Sequence, residues 1–388
     1  MKALRWFGKN PLPGLPVLLL LLMAGFAGCS TASKETATIS EPSSDPAAET
    51  GDSGEEAQDL SPVQEKPPFL RRIALIPGEV HPGEPLTVAY VPPTPRANEP
   101  LPDQAPLAIG TLPPGDDEPP PAAASAPHYR AVLRNAQGQR LTRAEFFPLE
   151  GTGPVLIAIL AVPSTAAPGI ASILVEESSA ALEEIPITIA DREFAAEIID
   201  LDQRNTSIRT EPDPQKTLES DQLWAIINST GGEIFSESTF APPVSSTRRT
   251  SFYGDRRVYR YVTGKTDTAI HAGVDYGVPT GTPVSACADG RVVLARFRIS
   301  TGNSVILEHL PGVYSIYYHM DSIAVAEGAM VKSGELLGES GFTGLATGPH
   351  LHWEIRVSGE NADPDAFTLR PVLDKQAILS KLEESENP

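Results

Sequence analysis

Cysteine is nearly absent from this chain of 388 residues, which contains only Cys29 and Cys287. Two cysteines so far apart in the sequence do not make a disulfide framework of the kind that holds small exported domains together. They also leave no Cys-rich metal site, because such sites need several thiolates at close spacing. Cys287 lies in a small, apolar strand-like segment, and we expect it to be a core residue.

Basic residues are also scarce. The chain has 30 Lys and Arg against 50 Asp and Glu, which gives a net charge of −20, and the pI is near 4.8. A nucleic-acid partner is therefore excluded, because binding to phosphates requires clustered Lys and Arg. Proline, in contrast, is abundant at 39 residues.

The apolar run at the N-terminus is too short to favour a membrane span. Lys2, Arg5 and Lys9 form a basic head in front of a leucine-rich run that ends at Leu22. A basic head, a short apolar run and small residues after it are typical of a signal peptide. The predicted signal peptide covers residues 1–28.

The segment Phe26-Ala27-Gly28-Cys29 resembles the lipobox of bacterial lipoproteins, in which the cysteine becomes the lipidated first residue of the mature protein. Phe26 departs from the leucine that usually stands three residues before that cysteine. An ordinary secretory signal that happens to contain Cys29 is the alternative. Ser30, rather than Asp, would place the anchor on the outer membrane of a diderm bacterium. With either signal, the protein leaves the cytoplasm for the cell envelope.

Composition divides the rest of the first half. Residues 29–67 are rich in Ser, Glu, Ala and Pro, and such a segment cannot bury enough apolar surface to fold, which predicts a disordered tether. Residues 68–192 read as short strands separated by turn sequences, which predicts an immunoglobulin-like β-sandwich. A proline-rich insertion over residues 91–127 interrupts it as an unstructured loop.

The second half begins with a connector over residues 193–247. Its segment Asp213 to Ile227 has a proline near the start and apolar residues at helical spacing, which predicts a helix with Trp224 as a packing anchor. Residues 248–370 are rich in glycine and short strands and contain five of the seven histidines. Residues 371–388 are predicted to form a C-terminal helix and tail.

The stretch HAGVDYG contains the first candidate ligands, His271 and Asp275. Glycines make a helix unlikely there, and on an extended chain residues four apart point to the same side. In GPHLHWEIR, the period of two places His350 and His352 on one face of a strand. Three protein ligands and an open position suit a catalytic zinc site. An ordinary solvated strand face remains the alternative for either motif taken alone.

Two more histidines lie on predicted strands. His319 ends the alternating run SIYYHM, where Ser315, Tyr317 and His319 are expected to share a face. His309 precedes a Pro-Gly turn, and we interpret it as a structural residue.

Taken together and in this order, the motifs H-x-x-x-D, Y-x-H and G-P-H-L-H resemble the lysostaphin-type zinc metallopeptidases, which are also called LytM-domain proteins. The resemblance covers Arg248 to Phe367. It implies a catalytic domain made of an antiparallel β-sheet, in a barrel-sandwich hybrid fold. The whole chain is then mainly β, with the immunoglobulin-like sandwich and the helical connector in front of this domain.

The resemblance also implies roles for single residues. His271, Asp275 and His352 would be the zinc ligands, His350 the general base, and His319 the group that orients water or stabilises the transition state. Some members of the family have a tyrosine shortly before the first metal histidine, and VTGKTDTAI has none there. We assign no tyrosine a role, and we interpret Glu354 as a supporting residue.

The function predicted from this resemblance is a zinc-dependent metalloendopeptidase that hydrolyses the peptide cross-links of peptidoglycan. The alternative of a different class is a catalytically silent LytM-like protein that regulates another cell-wall hydrolase. A peptidase for a protein substrate, such as a glycine-rich surface chain, would have the same catalytic residues. The expected partners are cross-link peptides and, through Cys29, a membrane, while the need for a protein partner stays open.

Overall fold

The computed structural model describes residues 72–93 and 128–384. These residues belong to one compact unit, Gln64–Pro388. The predicted signal peptide, Cys29 and the tether lie outside the described residues, as does almost all of the predicted proline-rich insertion. The domain boundaries given above therefore stay predictions.

The first part of the described chain is made of strands alone, as its alternating sequence predicts. In chain order they are β1 (Ile73–Ile76), β2 (Glu79–Val80), β3 (Pro85–Tyr90), β4 (Tyr129–Arg134), β5 (Arg140–Glu145), β6 (Phe147–Pro148), β7 (Leu156–Ala161), β8 (Gly169–Glu177) and β9 (Ala180–Ile189).

These nine strands form two sheets, with orders β1-β3-β7-β6 and β2-β9-β8-β4-β5. Side chains from both sheets, among them Val88, Leu133, Leu160 and Ile173, share one buried apolar cluster. Two sheets around one core agree with the predicted sandwich. The immunoglobulin-like topology is not confirmed and stays a prediction.

The predicted helical connector begins with a strand that the sequence did not indicate. It contains β10 (Ala196–Asp200), α1 (Gln203–Thr210) and α2 (Pro214–Ile227). The predicted helix is confirmed, with Asp213 as its N-cap and Pro214 in its first turn. Trp224 is 51% exposed, with the guanidinium of Arg356 from the following part of the chain over its ring, so its role as a packing anchor stays a prediction.

The remaining elements build the catalytic part predicted from the sequence. Its strands are β11 (Arg249–Ser251), β12 (Arg256–Arg260), β13 (Thr266–Ile270), β14 (Gly273–Tyr276), β15 (Pro283–Ser285), β16 (Gly290–Arg298), β17 (Gly302–Leu310), β18 (Val313–Ile323), β19 (Met330–Val331), β20 (Leu336–Ser340), β21 (Leu351–Val357) and β22 (Glu360–Ala362). Helices α3 (Pro364–Leu369) and α4 (Lys375–Glu383) follow, and α4 confirms the predicted C-terminal helix.

Ten of these strands form one sheet whose main path is β11-β14-β21-β18-β17-β16-β19, so the predicted mainly β fold is confirmed. A smaller sheet, β10-β12-β13, joins the connector to the catalytic part, since β10 pairs in parallel with β12. The central strands β18 and β21 place Tyr317, Trp353 and Ile355 in the core without exposure to solvent. No helix among the described residues has the length and apolar character needed to cross a membrane.

Contacts also join the first sheet to the catalytic part. Ala89, Ile157 and Ile159 belong to the same apolar cluster as Trp353 and its neighbours. The buried hydroxyl of Thr87 donates a hydrogen bond to the carbonyl of Val372 at 2.6 Å. The β-sandwich thus shares part of its hydrophobic core with the catalytic part, which buries apolar surface of both.

Candidate metal centre

The predicted ligands meet where β14 pairs with β21. The register places Asp275 directly opposite His352, and His271 precedes β14 by two residues. Gly273 allows the close approach of the two strands, because a Cβ there would lie 2.2 Å from the carbonyl oxygen of Trp353.

Three possible ligand atoms point at one another. His271 Nε2 lies 3.1 Å from Asp275 Oδ1 and 3.0 Å from His352 Nδ1, and His352 Nδ1 lies 2.8 Å from the same Oδ1. The three side chains are buried. Two imidazole nitrogens and a carboxylate oxygen that converge on one point are a donor set suited to zinc.

The remaining ring nitrogens of the two ligand histidines are occupied by acceptors. His271 Nδ1–H donates to the carbonyl of Phe252 at 2.8 Å, and His352 Nε2–H donates to Glu354 Oε2 at 3.2 Å. These bonds leave His271 Nε2 and His352 Nδ1 with lone pairs for a metal. The prediction of a supporting role for Glu354 agrees with this geometry, and Glu354 also contacts Arg356.

Burial and hydrogen bonding give the cluster an internal charge pair. Burial raises the pKa of Asp275, but hydrogen bonds and charge from His271 and His352 outweigh it and hold this pKa well below its usual range. Burial lowers the pKa of His352, but hydrogen bonds to Asp275 and Glu354 raise it to about 9. A metal held by His352 Nδ1 would therefore have to displace a proton from this ring.

The two other predicted histidines lie beside this cluster. His350 Nε2 is 3.8 Å from Asp275 Oδ1, and the ring centroids of His350 and His319 are 4.8 Å apart. His350 Nδ1–H donates to the carbonyl of Gly348, and His319 Nδ1–H donates to the carbonyl of Thr343, both at 2.8 Å. In each ring, Nδ1 is thus bound to a backbone carbonyl, and Nε2 is the other nitrogen available to the site. The structure brings all five predicted side chains together.

His319 reaches the site by a route that strand alternation does not predict. Tyr318, directly opposite His352, stacks on its ring at 5.5 Å, and the next residue, His319, also contacts that ring at 6.3 Å. Neighbouring residues can lie beside one ring because His319 has φ of 63°, outside the strand conformation. The expectation that Ser315, Tyr317 and His319 share a face is wrong.

Ser315 and Tyr317 belong instead to a buried polar network with His309 and Cys287. His309 Nε2 accepts a hydrogen bond from Ser315 at 2.7 Å, and its Nδ1–H donates to the carbonyl of Asp289. The amide of Cys287 donates to the Tyr317 hydroxyl. The interpretations of His309 as structural and of Cys287 as a core residue are both confirmed by their complete burial.

Arg257 is a residue of the site that sequence reasoning missed. Its Nη2 donates to Asp275 Oδ2 at 2.8 Å, and its Nε donates to Glu197 at 2.6 Å. Glu197 lies opposite Arg257 in the β10–β12 pairing, so the unpredicted strand reaches the site through this side chain. A charged residue within a short exposed-looking strand has no sequence signature that would have identified it.

Two cavities adjoin the cluster. A small one of about 70 Å³ is lined by His319, His350 and His352 and, away from them, by Ile199, Tyr259, Leu345 and Ala346. Asn205 of α1 donates a hydrogen bond to the carbonyl of one of these lining residues, Ala346, at 2.8 Å. A larger cavity of about 440 Å³ lies on the side of Arg248 and Pro349. A substrate therefore has more space on that second side.

The comparison with known protein families gives a match over the part of the chain that contains the site. Residues 269–364 match peptidase family M23. The matched segment includes His271, Asp275, His319, His350 and His352, and we refer to this part of the chain as the M23 domain. The lysostaphin-like family predicted from the motifs is thereby confirmed for this segment.

Similar proteins include two that are named as DD-endopeptidases. The chain is 42% identical over 100 residues to the DD-carboxypeptidase/endopeptidase Mpg of Neisseria meningitidis, covering 26% of this chain and 23% of that protein. It is 41% identical over 117 residues to the peptidoglycan DD-endopeptidase ShyA of Vibrio cholerae, covering 30% and 27%. The chain thus matches only about a quarter of the length of these curated relatives.

Among solved structures, the catalytic domain of lysostaphin from Staphylococcus simulans is 31% identical. The similarity covers 31% of this chain and 91% of that chain, with a TM-score of 0.28.

Proposed function

We propose that this protein is a zinc-dependent metalloendopeptidase that hydrolyses the peptide cross-links of peptidoglycan. The observation that carries the proposal is the convergence of His271 Nε2, Asp275 Oδ1 and His352 Nδ1, with two further histidines beside them. An isolated cluster of three ligands would suit a structural metal equally well. The two additional imidazoles, each with Nδ1 bound to a backbone carbonyl and Nε2 left over, favour catalysis.

The two histidine nitrogens and the carboxylate oxygen of this cluster fit zinc, because hydrogen bonds within the site leave both nitrogens available to a metal. Hydrogen bonds to Phe252 and Glu354 determine which nitrogen of each ligand histidine is free, and both free nitrogens face Asp275. His271, Asp275 and His352 would hold the ion. When bound there, zinc supplies Lewis-acid chemistry that acidifies water and polarises the carbonyl of the scissile amide.

His350 is proposed as the general base and then the general acid. Its Nδ1–H is bound to the carbonyl of Gly348, so Nε2 is free to take a proton from the attacking water. An imidazole suits both transfers, because its ordinary pKa of ~6.5 is close to neutral pH. The same Nε2 then returns the proton to the leaving amine, as it must to complete hydrolysis.

His319 is proposed to orient the attacking water. Burial, together with the neighbouring His350 and His352, lowers its pKa to about 3, so the ring is neutral at physiological pH. Its one N–H donates to Thr343, which leaves Nε2 only as a hydrogen-bond acceptor. Of the two roles expected for His319, orienting water fits an acceptor, whereas stabilising an oxyanion needs a donor.

The substrate class is supported by the relatives. Of the proteins similar to the M23 domain, one is named a DD-carboxypeptidase/endopeptidase and another a peptidoglycan DD-endopeptidase. We infer that this chain also acts on DD cross-links, between two D-centres of neighbouring stem peptides. A protein that works on the cell wall has to be exported, which agrees with the predicted signal peptide.

Lipidation of Cys29 is part of the proposal and is supported by the lipobox-like segment alone. A lipid anchor followed by the predicted tether would let a membrane-bound enzyme reach its substrate. Metabolic labelling with a palmitate analogue, with Cys29→Ala beside it, tests this. Absence of label from the unchanged chain would exclude the anchor and leave an ordinary secretory signal.

Mass spectrometry of muropeptides tests the enzymatic proposal. Soluble protein from Ser30 onward, loaded with zinc, is incubated with cross-linked peptidoglycan beside a chelated sample and a His350→Ala variant. We expect cross-linked species to disappear only with the intact, zinc-loaded protein, and the variant to keep one bound zinc. If the intact protein binds one zinc and cleaves nothing, the regulator of another hydrolase becomes the better explanation.

A further inference from the structure

The larger cavity beside the metal cluster has an asymmetric distribution of charge. It has a volume of about 440 Å³ and extends from His350 and Pro349 to Arg248 and Thr250, with Arg257 and Asp275 between them. It is therefore continuous with the proposed catalytic groups. A side chain that lines it would contact the substrate close to the scissile bond.

One of the two arginines in this lining is already neutralised. Arg257 is bound to Glu197 and Asp275 at 2.6 and 2.8 Å. In the part of the chain that the structure describes, Arg248 has no carboxylate within 4 Å and makes no ion pair. Arg248 thus provides the uncompensated positive charge of the cavity, in a protein whose overall charge is −20.

Hydrogen bonds to the backbone of Gly277 hold Arg248 in position. Arg248 Nη1 donates to the carbonyl of Gly277 at 3.0 Å, and the Gly277 amide donates to the carbonyl of Arg248 at 3.1 Å. A Cβ on Gly277 would lie 2.1 Å from that Nη1 and 2.6 Å from Thr250 Cγ2. Only glycine leaves room for the guanidinium here. Among the described groups, Arg248 Nε and Nη2 have no hydrogen-bond partner.

We propose that Arg248 binds the free carboxylate of the substrate residue whose amine is the leaving group. This inference rests on the proposed function. In a DD peptide bond, the leaving amine belongs to a D-centre that carries a carboxylate on the same carbon. A guanidinium with two free donors matches such a carboxylate in a bidentate geometry. Arg248 is then a determinant of specificity for bonds whose leaving residue carries a free carboxylate beside its amine.

The same carboxylate has two sources in peptidoglycan. It belongs to the cross-linking diamino acid in a cross-linked dimer, and to the terminal D-alanine in an uncrosslinked stem peptide. Arg248 recognises the shared group in both. Separate assays with a cross-linked dimer and with a peptide ending in D-alanyl-D-alanine show which source the protein accepts.

The test compares each substrate with an analogue in which only this carboxylate is an amide. We expect the zinc-loaded protein from Ser30 onward to prefer the carboxylate by about 10- to 100-fold in kcat/KM, as for a charge-assisted hydrogen bond. Arg248→Gln should remove the preference by slowing only the carboxylate substrate. Arg248→Lys should retain part of it, because the charge remains but the fork is lost.

Two further variants separate specificity from general damage. Gly277→Ala should reduce the preference in the same way, because its Cβ displaces the guanidinium. Arg260→Gln, which removes an exposed arginine paired with Asp200, should leave the preference unchanged. Zinc content and unfolding midpoint are measured for all variants. If Arg248→Gln or Gly277→Ala is misfolded, the comparison is made with Arg248→Lys instead.

The two proposals fail in different ways. Equal cleavage of carboxylate and amide substrates by the unchanged protein, or a preference that survives Arg248→Gln, would overturn the role of Arg248 and leave the peptidase intact. Absence of all cleavage would contradict the peptidase. In that case, calorimetry measures the binding of the carboxylate peptide and of its amide analogue, neither of which is cleaved. The proposed role of Arg248 requires the carboxylate peptide to bind more tightly.

Discussion

Arg257 Nη2 donates to Oδ2 of Asp275 at 2.8 Å, while Oδ1 of the same carboxylate faces His271 and His352. The guanidinium therefore gives the two oxygens of this proposed metal ligand different roles. One oxygen is bound to the protein, and the other remains for the metal. Arg257 orients the carboxylate through this hydrogen bond, as outer partners of metal ligands commonly do.

Replacement of Arg257 by Gln should weaken zinc binding by about 10- to 100-fold, because Asp275 loses the partner that orients it. Competition with a chromophoric chelator measures the affinity. Arg260→Gln serves as the control, since Arg260 lies on the same strand but pairs with the exposed Asp200. Equal zinc affinity in Arg257→Gln and the unchanged protein would show that Asp275 needs no such partner.

Glu354→Gln should also lower zinc affinity, by about 10-fold or more, because the amide can offer an N–H to His352 Nε2 and so favour the wrong tautomer. The matched control is Glu308→Gln, another buried glutamate, which pairs with Arg291 away from the site. We expect the control to lose stability but to bind zinc normally. Matching losses of affinity in both variants would indicate a general loosening of the sheet.

Gly344→Ala should disturb the loop that positions His319. Gly344 has φ of 71°, and a Cβ would lie 2.3 Å from the amide nitrogen of Gly302. The neighbouring Thr343 provides the carbonyl that His319 binds. We expect a loss of more than ~2 kcal/mol of unfolding free energy from strain and overlap, together with reduced turnover.

Gly264→Ala is the matched control for this prediction. Gly264 has φ of 77°, but a Cβ there would contact nothing within 4 Å. This variant has only the strain of the left-handed conformation, about 1 kcal/mol, and should keep its turnover. Urea denaturation and a turnover assay measure both quantities. Equal effects in the two variants would contradict a specific role for the loop at Gly344.

Acid should destabilise the protein through His309. Burial lowers the pKa of His309 to about 4, whereas the unfolded chain has an ordinary value of ~6.5. Between these values the unfolded state binds a proton that the folded state excludes, so stability falls as pH falls from ~6.5 to about 4. The full effect of this one group is about 3 kcal/mol. His319, with its lowered pKa, acts in the same direction.

Urea denaturation of the zinc-free protein across this pH range measures the effect. His309→Gln retains a donor and an acceptor for Asp289 and Ser315 but does not titrate there. Its stability should therefore change less with pH than that of the unchanged protein, although it is lower at neutral pH. The same pH dependence in both would exclude His309 as the source.

Motif spacing predicted much of the site because, on an extended chain, the number of residues between two positions determines whether their side chains point to the same side. His271 and Asp275, four residues apart, converge on one point, and His350 and His352, two apart, reach the same site. The helix Pro214–Ile227 was also predictable, since its cap and proline are local signals. In contrast, β10 depends on parallel pairing with a distant strand, which its own five residues do not encode.

The sequence by itself determined which side chains are available for chemistry and the order of the M23 motifs, because these follow from residue identity and local spacing. Only the tertiary structure decided which nitrogen of each histidine is free. The carbonyls of Phe252, Thr343 and Gly348 make that choice for three of them, and every residue has a carbonyl. For His352, the carboxylate of Glu354 makes it. The pairing of Arg257 with Asp275 and the free charge of Arg248 were decided there too, since both depend on strands brought together only by folding.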